Sequence, residues 1–418
     1  ATPARAGSWS EDAPGKVHRF TVADLPQPFS SASAGNGPKL AARPDNALPK
    51  VPDNFSVTAY AKLPARGRLL IRAPNGDLFL SIPATGEIRQ VRPDGTTTVF
   101  ATGLTRPYGM AFYPAGPNPR YLYVANVNSV VRIPYTKGDT KARTAAETVV
   151  DKLAGTSGGH TTRSLQFSKD GKTMFVSVGS ASNVAEEIPR KPDVPLAQWE
   201  RQHGLGAAWG DEEDRALVLA FDPDGKHKRT FATGLRNCVG LLVHPDTGDL
   251  FCGVNERDAL GDNIPFEYLT TVRQGAFYGW PWYYIGGHED PRLAGVRPDL
   301  KDKVTTPDLL IQAHSAPLGL TVYHAPQGAQ HAFPKDYDGD IFLALHGSWN
   351  RGLRTGYKVV RVRMKDGKPA GQYEDFMTGM VLNDNEVWGR PAAVTVAADG
   401  ALLVVDDGSN TIWRVAPR

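Results

Sequence analysis

In the stretch S-G-G-H-T-T-R-S-L, residues 157–165, a histidine stands behind two glycines, with an arginine three residues on. Gly158 and Gly159 let the backbone approach another group closely. A cation as near as Arg163 opposes protonation of His160, and a neutral imidazole is the usual form of a general base. A lone histidine at a strand start is more often a satisfied polar residue; the glycines and the arginine tip this one towards a base. Arginine recurs in comparable settings. Arg68, Arg106, Arg236 and Arg390 each open an apolar stretch, and His314 precedes another. The guanidinium fork suits carboxylate or phosphate. If these residues converged they would repel one another unless an anion or carboxylates offset them, so the expected ligand is a compact polyanion. Taken singly, each arginine reads better as a solvated turn residue with its stem over apolar surface. Recurrence at one position reverses that preference. A third group is the loop V-N-E-R-D-A-L-G-D-N-I-P-F, residues 254–266. Its carboxylates and carbonyls are the hard oxygen donors Ca²⁺ prefers, although the spacing fits no EF-hand and many such loops are plain Asx turns.

A repeat could bring these distant residues together. Each unit has a polar or basic loop residue, an apolar strand, a G-D or D-G turn, an aromatic-rich strand and a third strand. Copies begin R-L-L-I-R-A-P-N-G-D-L-F-L-S at Arg68, R-P-Y-G-M-A-F-Y-P at Arg106 and H-T-T-R-S-L-Q-F-S-K-D-G at His160. Three more begin R-N-C-V-G-L-L-V-H-P-D-T-G-D-L-F at Arg236, A-P-L-G-L-T-V-Y at Ala316 and R-P-A-A-V-T-V-A-A-D-G-A-L-L-V-V at Arg390. One such sheet cannot bury both faces alone, so the repeat predicts propeller blades. The expected fold is all-β: a six-bladed β-propeller of four-stranded antiparallel blades over residues 51–418. The last unit is one strand short, and N-F-S-V-T-A-Y-A-K-L (54–63) is predicted to supply it, leaving no open edge. Loops entering the innermost strands then meet at one mouth of the central channel. Residues 1–50, rich in Ala, Pro, Ser and Gly without sustained period, read as an N-terminal extension that wraps or dangles. Segments 185–214 and 280–310 read as long loops on one face.

The 47 Lys and Arg against 44 Asp and Glu leave +3, too slight a bias for a nucleic-acid partner. No apolar run approaches the ~20 residues that span a bilayer. The chain opens at Ala1 without Met, basic region or apolar run, so any signal peptide is expected to have been removed already. Cys238 and Cys252 fall on consecutive predicted strands. If Val243 faces Leu250, Cys252 faces Leu241 and Cys238 points to the other side, which predicts two free buried thiols. There is no C-x-x-C-H haem signature, so electrons from any redox reaction would leave to an external carrier.

Taken together, H-T-T-R-S-L, G-L-R-N, N-E-R-D-A-L-G-D-N with Y-G-W-P, H-G-S-W-N-R and G-R-P-A-A-V resemble the glucose/sorbosone dehydrogenases. These are soluble quinoproteins that use pyrroloquinoline quinone (PQQ) and Ca²⁺. The likeness covers about residues 55–418 and is nearest to the sorbosone and pyranose dehydrogenase branches. It implies a six-bladed propeller, PQQ with its three carboxylates as the polyanion, and calcium beside it. It also implies oxidation of a small sugar, transfer of electrons to an external acceptor, and a periplasmic or secreted location. On the motif match, His160 would be the base taking the sugar's hydroxyl proton, and Arg236 would hydrogen-bond the quinone oxygen. Asn237, His314, Asn350, Arg351 and Arg390 would hold the cofactor, with Arg68 and Arg106 as helpers and Trp349 walling the pocket. The metal would take carbonyls near Asp258 and Ala259, with Asp262 orienting that loop. The lysine that pairs a PQQ carboxylate in the glucose enzymes has no direct counterpart in S-W-N-R-G-L-R-T-G-Y-K, which leaves Arg351, Arg354 or Lys358. Two rival readings compete. A calcium-dependent lactonase needs acidic or amide side chains at the blade openings, where arginine and histidine stand here. A non-catalytic binding propeller is the other, because the fold alone does not specify function.

Overall fold

Strands Leu78–Ile82, Met174–Val178 and Ile341–Leu345 are buried along their whole length, while Thr97–Ala101 and Arg229–Thr233 keep partly exposed faces. This is the burial gradient of sheets stacked side by side around an axis. A computed structural model describes residues 7–156 and 158–418; residues 1–6 of the N-terminal stretch and Ser157 of the histidine loop lie outside the described residues. Six antiparallel sheets carry the six repeat units, each with at least four strands. Blades 1 to 6 begin at the strands Leu69–Arg72, Met110–Tyr113, Arg163–Phe167, Cys238–Val243, Pro317–Val322 and Pro391–Val396. Apolar side chains fill the gaps between neighbouring sheets. Tyr123 and Val130 of blade 2, for example, pack with Leu165, Val176 and Leu219 of blade 3. Each such large side chain taken from water contributes roughly 1.5–3 kcal/mol.

The ring closes as the strand count requires. Phe55–Lys62 pairs antiparallel with Thr411–Pro417, Val57 opposite Val415, and completes blade 6. The extension wraps. Val17–His18 adds a fifth strand to blade 5 beside Lys368–Met377, and Lys39–Leu40 pairs with Glu386–Val387. A buried charge cluster ties it down: Lys358 Nζ lies 2.8 Å from both Asp12 and Asp375, and His18 Nε2 lies 2.9 Å from Asp375. The two inserts are more than loops. One carries the helix Leu196–His203 and the other the short hairpin Tyr283–Tyr284 with His288–Glu289. They share an apolar cluster of Trp199, Trp209, Trp282, Tyr283, Leu293 and Leu300.

Cys238 and Cys252 form a disulfide, against the expectation of free thiols. The strand register slips between Cys238 and Gly240, so Cys238 lies opposite Val254 while Leu241 still lies opposite Cys252. One bulged residue turns Cys238 onto the face that Cys252 occupies, and the Cα atoms stand 5.7 Å apart, within bridging range.

Candidate active site

The loops before the first strands do converge. Arg68, His160, Arg236, His314 and Arg390, from five different blades, line one cavity of about 370 Å³. Asn237, Asp258, Trp349 and Asn350 line it too. Arg106 does not: it is exposed at the rim, with Nη1 3.5 Å from Thr161 Oγ1.

His160 is fixed from behind. Its backbone N–H donates to the Ser180 carbonyl at 3.0 Å. Its Nδ1 lies 2.9 Å from that same carbonyl, which only accepts, so Nδ1 carries the hydrogen and Nε2 keeps its lone pair. Gly159 sits at φ 69°, and a Cβ there would strike the Ala181 carbonyl; at Gly179 it would strike Asn237 and His160. Arg163 and Arg215 donate to the His160 carbonyl at 2.7 and 2.9 Å and clamp the turn. Burial, helped by the Arg236 charge, lowers the imidazole to a pKa of about 3. The ring is neutral.

Arg236 is held by two neighbouring loops. Nε donates to the Asn183 carbonyl at 3.0 Å, Nη1 to the Asn255 and Glu256 carbonyls at 3.2 and 2.9 Å, and Nη2 to Asn183 Oδ1 at 3.1 Å. One Nη2 hydrogen remains for the cavity, with Asp258 at 3.7 Å. Arg390 is less committed: Nε and Nη2 donate to the His346 and Gly347 carbonyls at 3.2 and 3.1 Å. Asn350 donates to Asp258, and His314 Nε2 lies 2.9 Å from the Gly261 carbonyl.

A second ring of residues, unforeseen in the sequence, leaves the ends of the second strands. Ser180, Glu256, His346 and Asp407 follow Met174–Val178, Leu250–Val254, Ile341–Leu345 and Leu402–Asp406. Their signal was the matching position after each hairpin, in V-G-S, V-N-E, L-H-G and V-D-D. Among them Asp407 supplies a counter-charge for the arginines. Asp407 accepts from Arg68 Nη1 at 2.6 Å and lies 2.7 Å from His346 Nε2. Burial alone would raise the Asp407 carboxyl, but His346 and Arg68 outweigh it and hold it well below the usual carboxylate range. Glu256 and Glu267 also line the cavity, and burial raises both, Glu256 to about 7. Asn183, just before the first insert, was missed because nothing in its sequence marks it as Arg236's partner.

Several expected cofactor and metal residues are committed elsewhere. Lys358 belongs to the cluster with Asp12 and Asp375, and Arg354 donates to the Ser348 and Asn36 carbonyls at 2.7 and 2.5 Å, so neither lines the cavity. Arg351 is buried outside it, bound to the Asp262 and Leu353 carbonyls at 3.1 and 2.8 Å and to Asn263 at 3.0 Å. The Asp262 carboxylate accepts from the N–H groups of Ala34 and Gly352 at 2.9 and 3.0 Å, which organises the loop, and it lies outside the cavity lining. Ala259 is exposed at φ 68° and outside the cavity lining, while the Asp258 carbonyl already accepts from Asn183 and Arg257 at 3.2 and 3.0 Å. Of the expected metal residues, Asp258 reaches the cavity, through its side chain.

Residues 66–266 and 299–418 match the TrAA12-like family model. Over 318 residues the chain is 26% identical to a pyrroloquinoline quinone-dependent pyranose dehydrogenase of Coprinopsis cinerea, covering 61% of this chain and 39% of that protein. The chain spans less than two thirds of the length of the curated relatives it matches. Among solved structures, the holo form of the pyranose dehydrogenase PQQ domain from Coprinopsis cinerea is similar with a TM-score of 0.67 at 20% identity, covering 91% of this chain and 99% of that one. The calcium structure of the Trichoderma reesei carbohydrate-active enzyme of family AA12 gives 0.69 at 19% identity, covering 92% and 99%. At these identities the likeness is one of fold. With the family match running through all six blades, the chain belongs to the TrAA12-like family.

Proposed function

We propose that this protein is a PQQ-dependent sugar dehydrogenase whose active site is the arginine-lined cavity and whose general base is His160. One observation carries the reading: a neutral imidazole, whose Nε2 has no hydrogen-bond partner among the described residues, borders a cavity rich in guanidinium and amide donors. That donor set fits a compact tricarboxylate. Arg390 keeps unspent N–H groups, Arg236 keeps one on Nη2, and Asn237 and Asn350 add amides at the same mouth. When bound, PQQ supplies the acceptor for hydride from the sugar carbon. His160 Nε2 takes the hydroxyl proton, while its bond to Ser180 holds the ring in one tautomer. Arg236 Nη2 would present an N–H to an acceptor oxygen gaining negative charge, and its four anchored bonds mean that it need not reorganise. Trp349, half exposed at the rim, walls one side.

The substrate is an aldose or a ketoaldose such as sorbosone, and the electrons pass to an external acceptor. A calcium ion beside the cofactor would take the Asp258 carboxylate as its protein oxygen. A periplasmic or secreted location is supported by the Cys238–Cys252 bond, because disulfides persist in oxidising compartments. Among the described residues no helix is long and apolar enough to cross a membrane.

The test is to add PQQ and Ca²⁺ to the purified protein and follow quinone absorbance and dye reduction with glucose, fucose, sorbosone and glucosone. Saturable PQQ binding with sugar-dependent dye reduction is expected. Lactone hydrolysis with Ca²⁺ alone, and no PQQ bound, would favour the hydrolase reading.

A further inference from the structure

We infer that His346, oriented by Asp407 and Arg68, is a second proton-accepting residue of the cavity, serving re-oxidation of the reduced cofactor rather than oxidation of the sugar. The inference rests on the function proposed above and assigns a step distinct from the one given to His160.

The need follows from the balance of atoms. Converting a sugar CH–OH to C=O releases two electrons and two protons. The hydroxyl proton goes to His160, and the hydrogen on carbon leaves with both electrons as hydride. When the external acceptor takes those two electrons, the hydrogen that arrived as hydride is left as a second proton. His160 sits on one wall, at the mouth of blade 3, and serves the first.

The geometry supplies a second acceptor two blades on from His160. His346 lines the cavity from blade 5, after the strand Ile341–Leu345. Its Nε2 lies 2.7 Å from Asp407 Oδ1 and 3.3 Å from Arg68 Nη1; the shorter contact is to an ionised carboxylate that only accepts, which puts the hydrogen on Nε2 and the lone pair on Nδ1. Nδ1 has no hydrogen-bond partner among the described residues. The side chain keeps 12% of its surface open, on a residue that borders the cavity. Asp407, of blade 6, is itself fixed by Arg68, of blade 1, at 2.6 Å. Three blades therefore build one imidazole–carboxylate–guanidinium chain across the closing joint of the ring. Burial lowers the imidazole to a pKa of about 4, with Asp407 favouring protonation and Arg390 and Arg68 opposing it. It is neutral at rest. A carboxylate at this distance stabilises the imidazolium once the proton arrives, and entry of a polyanion would offset the two arginines. Asp407 and Arg68 are positioning residues in this scheme.

Two measurements decide it. In cofactor-free protein, ¹⁵N NMR of the imidazoles should show His346 as the neutral Nε2–H tautomer at pH 7, and Asp407→Asn should abolish that preference. In the PQQ-loaded protein, stopped-flow should separate reduction by sugar from re-oxidation by a dye. His346→Gln should slow re-oxidation at least tenfold more than reduction, and His160→Gln should show the opposite split. Asp407→Asn, which changes no volume, should reproduce the His346→Gln split if the larger change fails to fold. Equal slowing of both half-reactions, wild-type re-oxidation, or an Nδ1–H tautomer in the wild type would each overturn the role of His346. Failure of the protein to bind PQQ at all would overturn the proposed function itself, and this role with it.

Discussion

Three residues make the sharpest demands. His160→Gln should still bind PQQ, because the imidazole addresses the sugar, while reduction by sugar falls ~10²–10⁴-fold in single-turnover measurements. Arg390→Ala should weaken PQQ by about 1.5–3 kcal/mol, read as Kd in an absorbance titration, since its guanidinium keeps donors that no carboxylate has claimed. Lys358→Met should leave that Kd unchanged and lower the melting temperature instead, because it takes the cation from Asp12 and leaves the buried Asp375 with His18 alone. What the sequence disclosed at this scale follows from chemistry that is local. His160 was legible because its glycines, its arginine and its strand are consecutive residues. Lys358 was not: a lysine on a strand can point to either face, and one of the two aspartates that claim it, Asp12, lies 346 residues away along the chain. His346 and Asp407 carry no local mark, and only the matching ends of blades 5 and 6 bring them together.

Among elements, the extension does more than decorate blade 5. Phe29 N–H donates to the Leu260 carbonyl at 2.7 Å and Asp262 N–H to the Ala32 carbonyl at 2.9 Å, so residues 29–36 lie as a strap over the 258–263 loop. Asp262→Ala removes acceptors for Ala34 and Gly352 and should speed amide exchange across both the strap and the loop, seen by hydrogen–deuterium exchange. The extension's wrapping was hidden in the sequence because its strand pairs span only two residues each, too short for any period to show. The disulfide was hidden for a related reason, a one-residue bulge that alternation cannot reveal. It staples the first two strands of blade 4 next to Arg236 and Asn237. Reduction, or Cys238→Ser, should cost about 2–4 kcal/mol of stability in denaturant titrations.

For the whole molecule, the buried imidazoles set a pH profile. His346 titrates near 4 in the fold against an ordinary 6.5, so between those values the unfolded chain holds the extra proton. Stability is therefore complete above pH 6.5 and declines as the pH falls through that window. The loss is about 1.4 kcal/mol per unit for this group, so His346→Gln should lose roughly 3 kcal/mol less than wild type between pH 6.5 and 4 in urea titrations of cofactor-free protein. The fold itself was the most legible feature, because six copies of one pattern and a missing strand in the last allow only one closed ring. That closure also acts on a chain still being made. Phe55–Lys62 is synthesised early and must wait, unpaired, until Thr411–Pro417 emerges. A ribosome that stalls before residue 411, or a nick that removes those residues, leaves two raw sheet edges and a blade without its neighbour. The joint thus works as a length check: only a chain read through to its last strand can hide its edges, and shorter products stick to one another or are cleared.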